Sequence, residues 1–587
     1  MPTLDWIGKK AVLNHHREVA FRLLRCNAEI SAGDPNSGNL LVQGDNLLAL
    51  KALLPYYAGR VKCIYIDPPY NTGNEKWVYN DAVNSPEMRT WLGKVVGGED
   101  EDLSRHDKWL CMMYPRLCLL KEFLTEDGVI LASIDDFEAH RLRSIMDEIF
   151  GPRNFIAQLV WDKTRKNDAK LFSVGHEYLL VYAQSLRRLR ERKTVWREQK
   201  PGTREVITEW ERLKTEYGDD YQAIQVALRN WYKTLPKTHP AKKLSRHKWV
   251  DEFGPWRDRD ISWPGGGGPR YDVIHPKTSL PCRVPERGWG FATPEAMARQ
   301  IQMGLVEFRD DHTQPPFRKA HLLPVPEELS ENAENGADED RNSDNEAGLQ
   351  VMQSVIQKQA QVAARLLRRI FDGQRVFPNA KDHEVIMRLI RYVTGPEDMI
   401  LDSFTGSGTT GHAVLQLNKE DSSNRKFILV ELNDSIAKGV TVERLKRVIS
   451  GYSDVPALGG GFRYCELGQP LFNADGSIRE CVTFSSLAAH VFFTETGSPI
   501  PKRASGKTPV LGVHNGKAVY LLFNGVMGDK RPQGGNILTS EVLRELPAHP
   551  DGNGVRVVYG EGCRLGTARL KRENVVFRQV PYEIKVS

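Results

Sequence analysis

Two parts of this 587-residue chain alternate short apolar runs with amphipathic stretches. Residues 40–43, 62–66, 129–134, 156–161 and 178–182 are compact apolar runs of strand length. Between them, residues 46–54, 109–124 and 138–150 carry apolar side chains at helical spacing. The pattern returns after a long interval, with helices over 384–392 and 412–417 and strands over 399–401 and 427–430. Strands alternating with helices predict an α/β fold, a doubly wound and mostly parallel Rossmann-like sheet. Such sheets bind ligands at the carboxyl ends of their strands. Asp45, Asp67, Asp402 and Glu431 all fall at such ends. The plain alternative is that they cap the helices that follow.

Asp67-Pro68-Pro69-Tyr70 follows the run Lys62-Cys63-Ile64-Tyr65-Ile66. The two prolines fix the turn. An exocyclic amine of a nucleic-acid base is a poor nucleophile, because its lone pair is delocalised into the ring. A carboxylate (Asp67) and a main-chain carbonyl (Pro68) accepting its two N–H groups would draw the nitrogen toward tetrahedral geometry. Tyr70 offers a flat face for an extruded base. Far downstream, Asp402-Ser403-Phe404-Thr405-Gly406-Ser407-Gly408-Thr409-Thr410-Gly411 lies between a strand and a helix. Glycines there allow close backbone approach, and the helix start presents free N–H groups. The glycine spacing also suits a nicotinamide or flavin dinucleotide. No Lys follows the glycines, which disfavours a nucleoside triphosphate loop. The Asp-Pro-Pro-Tyr turn tips the choice toward S-adenosylmethionine, with Glu431 placed for ribose hydroxyls.

The segments Gly44-Asp45-Asn46, Asp67-Pro68-Pro69-Tyr70-Asn71-Thr72-Gly73-Asn74 and Phe404-Thr405-Gly406-Ser407-Gly408 resemble amino DNA methyltransferases of the β class. The order, catalytic turn before cofactor turn with a target-recognition region between, is the circularly permuted order of that class. Met113-Tyr114-Pro115-Arg116-Leu117, Asp127-Gly128-Val129-Ile130, Ser133-Ile134-Asp135-Asp136 and His176-Glu177-Tyr178 extend the match, which is greatest to modification subunits of type III restriction–modification systems. The resemblance implies methylation of N6 of a flipped adenine in duplex DNA. Its catalytic set would be Asp67, Pro68, Pro69 and Tyr70. Its cofactor set would be Asp45, Lys381, Asp402, Phe404, Thr405, Gly406, Ser407, Gly408, Thr409 and Glu431, with Asp45 on the adenine amine and Lys381 near the cofactor carboxylate. The family usually has Pro-Lys-Pro at the last position, whereas this chain has Asn379-Ala380-Lys381-Asp382. The resemblance also implies a homodimer and a helicase–nuclease restriction subunit as partner. Rival readings are N4-cytosine methylation, where Ser is commoner in place of Asp67, and a non-catalytic DNA-binding assembly subunit.

The net charge of +6 is unevenly spread. Residues 186–320 hold 27 Lys/Arg against 18 Asp/Glu, and seven of the 12 Trp. Basic side chains neutralise phosphates and aromatic rings stack on bases, so DNA recognition is expected there. The candidates are Arg187, Arg188, Arg190, Arg192, Lys193, Lys242, Lys243, Arg246 and Arg270. The domain reading is a catalytic half over 1–185, a target-recognition insertion over 186–375, a cofactor half over 376–451 and a C-terminal α+β domain over 452–587. Within the insertion, Gly265 to Gly268 mark an irregular loop, residues 327–347 an acidic disordered loop, and 349–371 one long helix. The eight cysteines form no Cys-x-x-Cys pair, so no zinc site is expected, and Cys282 after Pro281 reads as structural. The low cysteine count suggests a reducing cytoplasm. No apolar run has transmembrane length, and Asp5 and Trp6 spoil a signal peptide. Glu583-Ile584-Lys585 reads as a terminal strand.

Overall fold

The computed structural model describes residues 3–71, 104–163, 171–323, 325, 348–529, 535–552 and 554–580. The chain forms two compact units, one of residues 1–194 and 354–587, the other of residues 195–353.

The first unit is built on a ten-stranded sheet. In chain order its strands are β1 (Arg22–Gly33), β2 (Leu40–Gln43), β3 (Val61–Ile66), β4 (Leu124–Ile134), β5 (Phe155–Asp162), β6 (His176–Ala183), β7 (Val355–Gln357), β8 (Met399–Asp402), β9 (Lys426–Glu431) and β10 (Gly461–Pro470). Their order across the sheet is β1-β10-β2-β9-β8-β3-β4-β6-β5-β7. The run from β10 to β4 is parallel throughout. β1 and β6 run antiparallel to their neighbours. The fold is thus α/β and mostly parallel, as the alternation of elements predicts. Its central strands are continuously buried, which is why they read as solid apolar runs and not as alternating ones.

Helix α1 (Asn46–Tyr57) starts at Asp45, whose carboxylate accepts the Leu48 amide at 3.0 Å. Helix α2 (Arg105–Phe123) starts with a reciprocal cap between Ser104 and Asp107. Both bury apolar side chains in the same core as β3 and β4. Helix α3 (Thr409–Asp421) leaves the glycine turn at Gly408, whose φ is 78°.

Several expectations are corrected. The stretch 349–371 is not one helix. Leu349–Gln350 and Val355–Gln357 are strands, and only Ala360–Ile370 is helical. Val351, Val355 and Ile356 are β-branched, and Val355–Gln357 pairs with β5. The inserted unit spans 195–353, whereas 186–375 was expected, so Arg187 to Lys193 belong to the sheet unit. Residues 452–587 do not separate as a unit, because β10 lies inside the main sheet between β1 and β2. Cys26 and Cys465, directly paired across β1 and β10, are joined as a disulfide. The C-terminal segment adds its own four-stranded mixed sheet, Val510–His514, Lys517–Leu521, Val555–Gly560 and Val575–Gln579. Residues 72–74, the acidic stretch 327–347 and residues 583–585 lie outside the described residues. Among the described residues, no helix is long and apolar enough to cross a membrane, and no cluster of metal-ligating side chains occurs.

Among its described residues the inserted unit holds three α-helices, Thr203–Tyr217, Tyr221–Thr234 and Pro294–Gln302, and a four-stranded antiparallel sheet. None of its tryptophans is fully exposed. Trp289 is completely buried, and Trp256 is buried and stacks on Trp249 at 5.1 Å between centroids. The Trp263 to Arg270 stretch contains no helix or strand, as its glycines require.

Candidate active site and cofactor cradle

Adjacent strands β3 and β8 carry the two motifs to the same edge of the sheet. Asp67, the residue after β3, and the turn after β8 line one cavity, to which Phe404, Gly406, Ser407 and Lys381 also contribute.

The Asp-Pro-Pro-Tyr turn is braced from behind. Trp109 Nε1 donates to the Pro69 carbonyl at 2.6 Å. Asn71 ends the turn with φ of 56°, a left-handed conformation that asparagine tolerates. Its side-chain amide donates to buried Glu138 at 2.5 Å. The Tyr70 hydroxyl donates to Glu177 Oε2 at 2.9 Å.

Lys381 enters this cluster directly. Its ammonium lies 2.9 Å from Glu177 Oε2 and 3.0 Å from Asp67 Oδ1, donates to the Tyr70 hydroxyl, and sits 4.7 Å from the Tyr70 ring centroid. Lys163 also pairs with Glu177. The contact to Asp67 has the distance of an ion pair but not the alignment of a hydrogen bond. Asp67 Oδ1 is buried and lacks a hydrogen-bond partner. Burial pushes the Asp67 carboxyl up, against the pull of Lys381. Burial acts the same way on Glu177, but Lys381 and Lys163 overcome it and hold that carboxyl at about 2. Burial would lower the Lys381 ammonium, yet Asp67 and Glu177 together raise it.

The glycine turn is held by acids facing inward. Asp402 accepts the Phe404 amide at 3.0 Å and the Thr410 hydroxyl at 2.5 Å. Burial raises its carboxyl to about 7. Gly406 and Gly408 have φ of 55° and 78°. A Cβ on Gly408 would stand 3.0 Å from Thr441 Cγ2, so side chains are unwelcome there on two counts. Arg444, fully buried, donates to the Ser407 carbonyl at 3.2 Å and to Thr409 Oγ1 at 2.8 Å.

Two of the expected cofactor residues also brace the scaffold. Glu431 is completely enclosed and accepts the Gly406 and Asn433 amides, both at 2.9 Å. It buckles the glycine turn from beneath. Asp45 caps α1 and pairs with buried Arg116 at 2.9 Å. Lys381 faces the catalytic turn as well as the cradle. Glu177 was not among the expected site residues. Its signal was available: a carboxylate in an otherwise apolar strand needs a charged partner.

The DNA-binding candidates fall in both units. Arg187, Arg188 and Arg190 lie on the short helix Leu186–Glu191, with Arg192 and Lys193 just beyond it. Arg187 and Arg188 pair with Glu191, Arg188 also with Glu126, and Arg192 with Asp127. In the inserted unit Lys243, Arg246 and Arg270 are exposed, while Lys242 is half-buried and donates to the Tyr232 carbonyl at 2.5 Å.

A family model described as DNA methylase, for N6- and N4-methyltransferases, matches residues 61–443. The chain belongs to this DNA methylase family. It is similar to the Mod subunit of the type III restriction–modification enzyme EcoP15I of Escherichia coli, with 32% identity over 414 residues, 68% of this chain and 59% of that protein. It is also similar to the StyLTI Mod subunit of Salmonella typhimurium LT2, with 29% identity over 469 residues, 77% of this chain and 61% of that protein. The chain thus spans about three fifths of the length of these relatives. A solved structure of a putative DNA modification methylase from Thermus thermophilus, complexed with S-adenosyl-L-methionine, aligns with a TM-score of 0.29 and 13% identity, over 73% of this chain and 99% of that one.

Proposed function

We propose that this chain methylates N6 of an adenine rotated out of duplex DNA, with S-adenosylmethionine as donor, as the modification component of a restriction–modification system. The observation that carries this reading is the cavity shared by Asp67 and the turn from Phe404 to Thr409. Asp67 Oδ1 has the Lys381 ammonium 3.0 Å away but out of hydrogen-bond alignment, and a base amine is a donor that suits it.

The residues fit the cofactor. Positive φ at Gly406 and Gly408 keeps the turn free of Cβ atoms, and Phe404 and Ser407 line the same space. Phe404, Thr405, Gly406, Ser407, Gly408 and Thr409 would hold the donor by backbone and side chain, with Asp402 fixing the turn. Glu431 and Asp45 act from behind it, through the turn and α1. Bound there, S-adenosylmethionine would supply an electrophilic methyl group.

Asp67 and the Pro68 carbonyl accept the two N–H bonds of the amine, and the Tyr70 ring stacks on the base. Alignment of this kind is worth roughly 7–11 kcal/mol of the barrier. One N–H proton must leave the nitrogen as its bond to the methyl carbon forms. Asp67, already in contact with it, is placed to accept that proton, and burial that raises its affinity for protons favours this role. Lys381 must first yield its place beside Asp67, which Glu177 permits by keeping the ammonium paired. DNA is held by the exposed basic residues of the inserted unit and of the helix Leu186–Glu191. A second copy of the chain and a helicase–nuclease subunit are the proposed partners.

The test is mass spectrometry of nucleosides from DNA incubated with the protein and S-adenosylmethionine. N6-methyladenine is expected. N4-methylcytosine would replace the adenine assignment, and no methylated base would leave a DNA-binding assembly subunit.

A further inference from the structure

A second cavity, of about 320 Å³, lies in the sheet unit among β1, β10, the end of α1 and the helix Phe484–Thr496, here α4. That volume is within the range of small-ligand pockets. Four arginines line it, Arg22, Arg60, Arg463 and Arg503, together with Tyr56 and Tyr57. No lining residue is Asp or Glu. None of the four arginines forms an ion pair with a carboxylate among the described residues.

Their hydrogen bonds leave most of this donor capacity unused. Arg22 Nη1 donates to the Gly468 carbonyl at 3.1 Å and Arg60 Nη2 to the Ile500 carbonyl at 3.1 Å. Arg503 Nε reaches Ser485 Oγ at 3.4 Å. The Nε atoms of Arg22 and Arg463 are buried with no hydrogen-bond partner. Each guanidinium carries five N–H donors in a planar fork that matches phosphate. Four such cations around one cavity repel one another; Arg60 and Arg503 are exposed, while Arg22 and Arg463 are half-buried, where unpaired charge is costly. A bound polyanion removes both costs.

The scaffold holds the arginines in place. Arg22 and Arg463 lie on paired strands that the Cys26–Cys465 bridge joins within the cavity wall. The two tyrosines add flat, half-buried rings beside the cations. This cavity is not the cradle. The cradle side of α1 begins at Asp45, and the helix rises about 1.5 Å per residue, so Pro55 at the cavity is roughly 15 Å away.

We propose that this cavity binds a nucleoside phosphate, its phosphates on the arginine cluster and its base against Tyr56 or Tyr57. The test is titration calorimetry on the full chain with AMP, ADP, adenosine and inorganic pyrophosphate. S-adenosylhomocysteine is kept saturating so that the cradle is not available. Expected are saturable binding of ADP, weaker binding of AMP, and none of adenosine. Arg463→Ala and Arg503→Ala should each weaken ADP at least tenfold, and added salt should weaken it further. Arg503 is exposed at the rim, so its variant should fold even if Arg463→Ala does not. Absence of ADP binding, or binding unchanged in the Arg503 variant, overturns the proposal. Pyrophosphate binding as tightly as ADP overturns the nucleoside part.

Discussion

Lys381 Nζ stands 3.0 Å from Asp67 Oδ1, so the segment before the helix His383–Val393 places a cation on the turn that follows β3. The same ammonium is 2.9 Å from Glu177 Oε2. Two carboxylates, one phenol and two ammonium groups, those of Lys381 and Lys163, share this site, and each sets the charge state of the others. Removing Asp67 deletes the acceptor for the substrate amine while Glu177 still neutralises Lys381. Asp67→Ala is therefore expected to lower methylation by roughly 100-fold or more, the cost of losing one aimed polar group. DNA affinity should be retained. Radiolabelled methyl transfer alongside a gel-shift titration checks this, and normal turnover would remove Asp67 from the mechanism.

Glu177 should be visible in acid. Its carboxyl is held at about 2, below the ordinary 4.5, chiefly by Lys381 and Lys163 against burial. A depressed carboxyl stabilises the fold above its unfolded value and loses that contribution as pH falls from about 4.5 toward 2. Glu177→Gln should lower stability at neutral pH and flatten the acid limb. Denaturant midpoints measured between pH 3 and 7 test it, and an unchanged acid limb would show that Glu177 is not the group responsible.

Much of the sheet is legible in the sequence because its central strands are buried on both faces. β2, β3, β8 and β9 stand out as solid apolar runs between turn residues. β1 does not: Arg22–Gly33 mixes half-buried and exposed positions at the sheet edge, so no pattern announces it. The pairing of motifs was readable from Asp67 and Gly406 alone, since glycine and proline turns carry chemical meaning locally. The Lys381–Glu177 link was not, because it depends on β6 packing beside β4 and on the return of the chain at Lys381. The role of Glu431 was expected from its strand-end position and that of Asp45 from the family resemblance; neither signal announces the turn- and helix-bracing bonds that these carboxylates also make.

Asp402 gives a different pH signature. Burial raises its carboxyl to about 7, far above the ordinary 3.8. A raised carboxyl favours the fold below its unfolded value, and that contribution is lost as pH rises through about 7. Asp402 therefore ionises as pH rises through about 7, and cofactor affinity should change across that range. Asp402→Asn keeps an acceptor for Phe404 and the Thr410 contact but cannot ionise. Cofactor titrations between about pH 6 and 8.5 should show a slope in the native protein and little slope in the variant. Equal slopes would mean that Asp402 does not titrate in this range.

Gly408 permits a simple steric test. Its φ of 78° costs an L-residue roughly 1–2 kcal/mol, and a Cβ there would press on Thr441 at 3.0 Å. Gly408→Ala is expected to lower cofactor affinity about tenfold or more while leaving DNA binding unchanged. Fluorescence titration with cofactor and a DNA filter assay separate the two effects. Native cofactor affinity in the variant would place the donor elsewhere than on this turn.

The basic residues differ in how much charge they have to offer. Arg188 is already paired with Glu126 and Glu191, and Arg192 with Asp127. Arg190, Lys243 and Arg246 are exposed and have no carboxylate partner among the described residues. Reversal of an unpaired cation that contacts phosphate removes one counterion-release event, so the slope of log K against log salt should drop by about 1. Reversal at Arg188 should do less, since its neighbours already screen it. Salt-dependent binding isotherms for Arg190→Glu, Lys243→Glu, Arg246→Glu and Arg188→Glu rank them. The first three should show reduced slopes and weaker binding to every sequence alike. If Arg188→Glu instead has the greatest effect, its ion pairs must open when DNA arrives, and the helix Leu186–Glu191 becomes the principal phosphate contact.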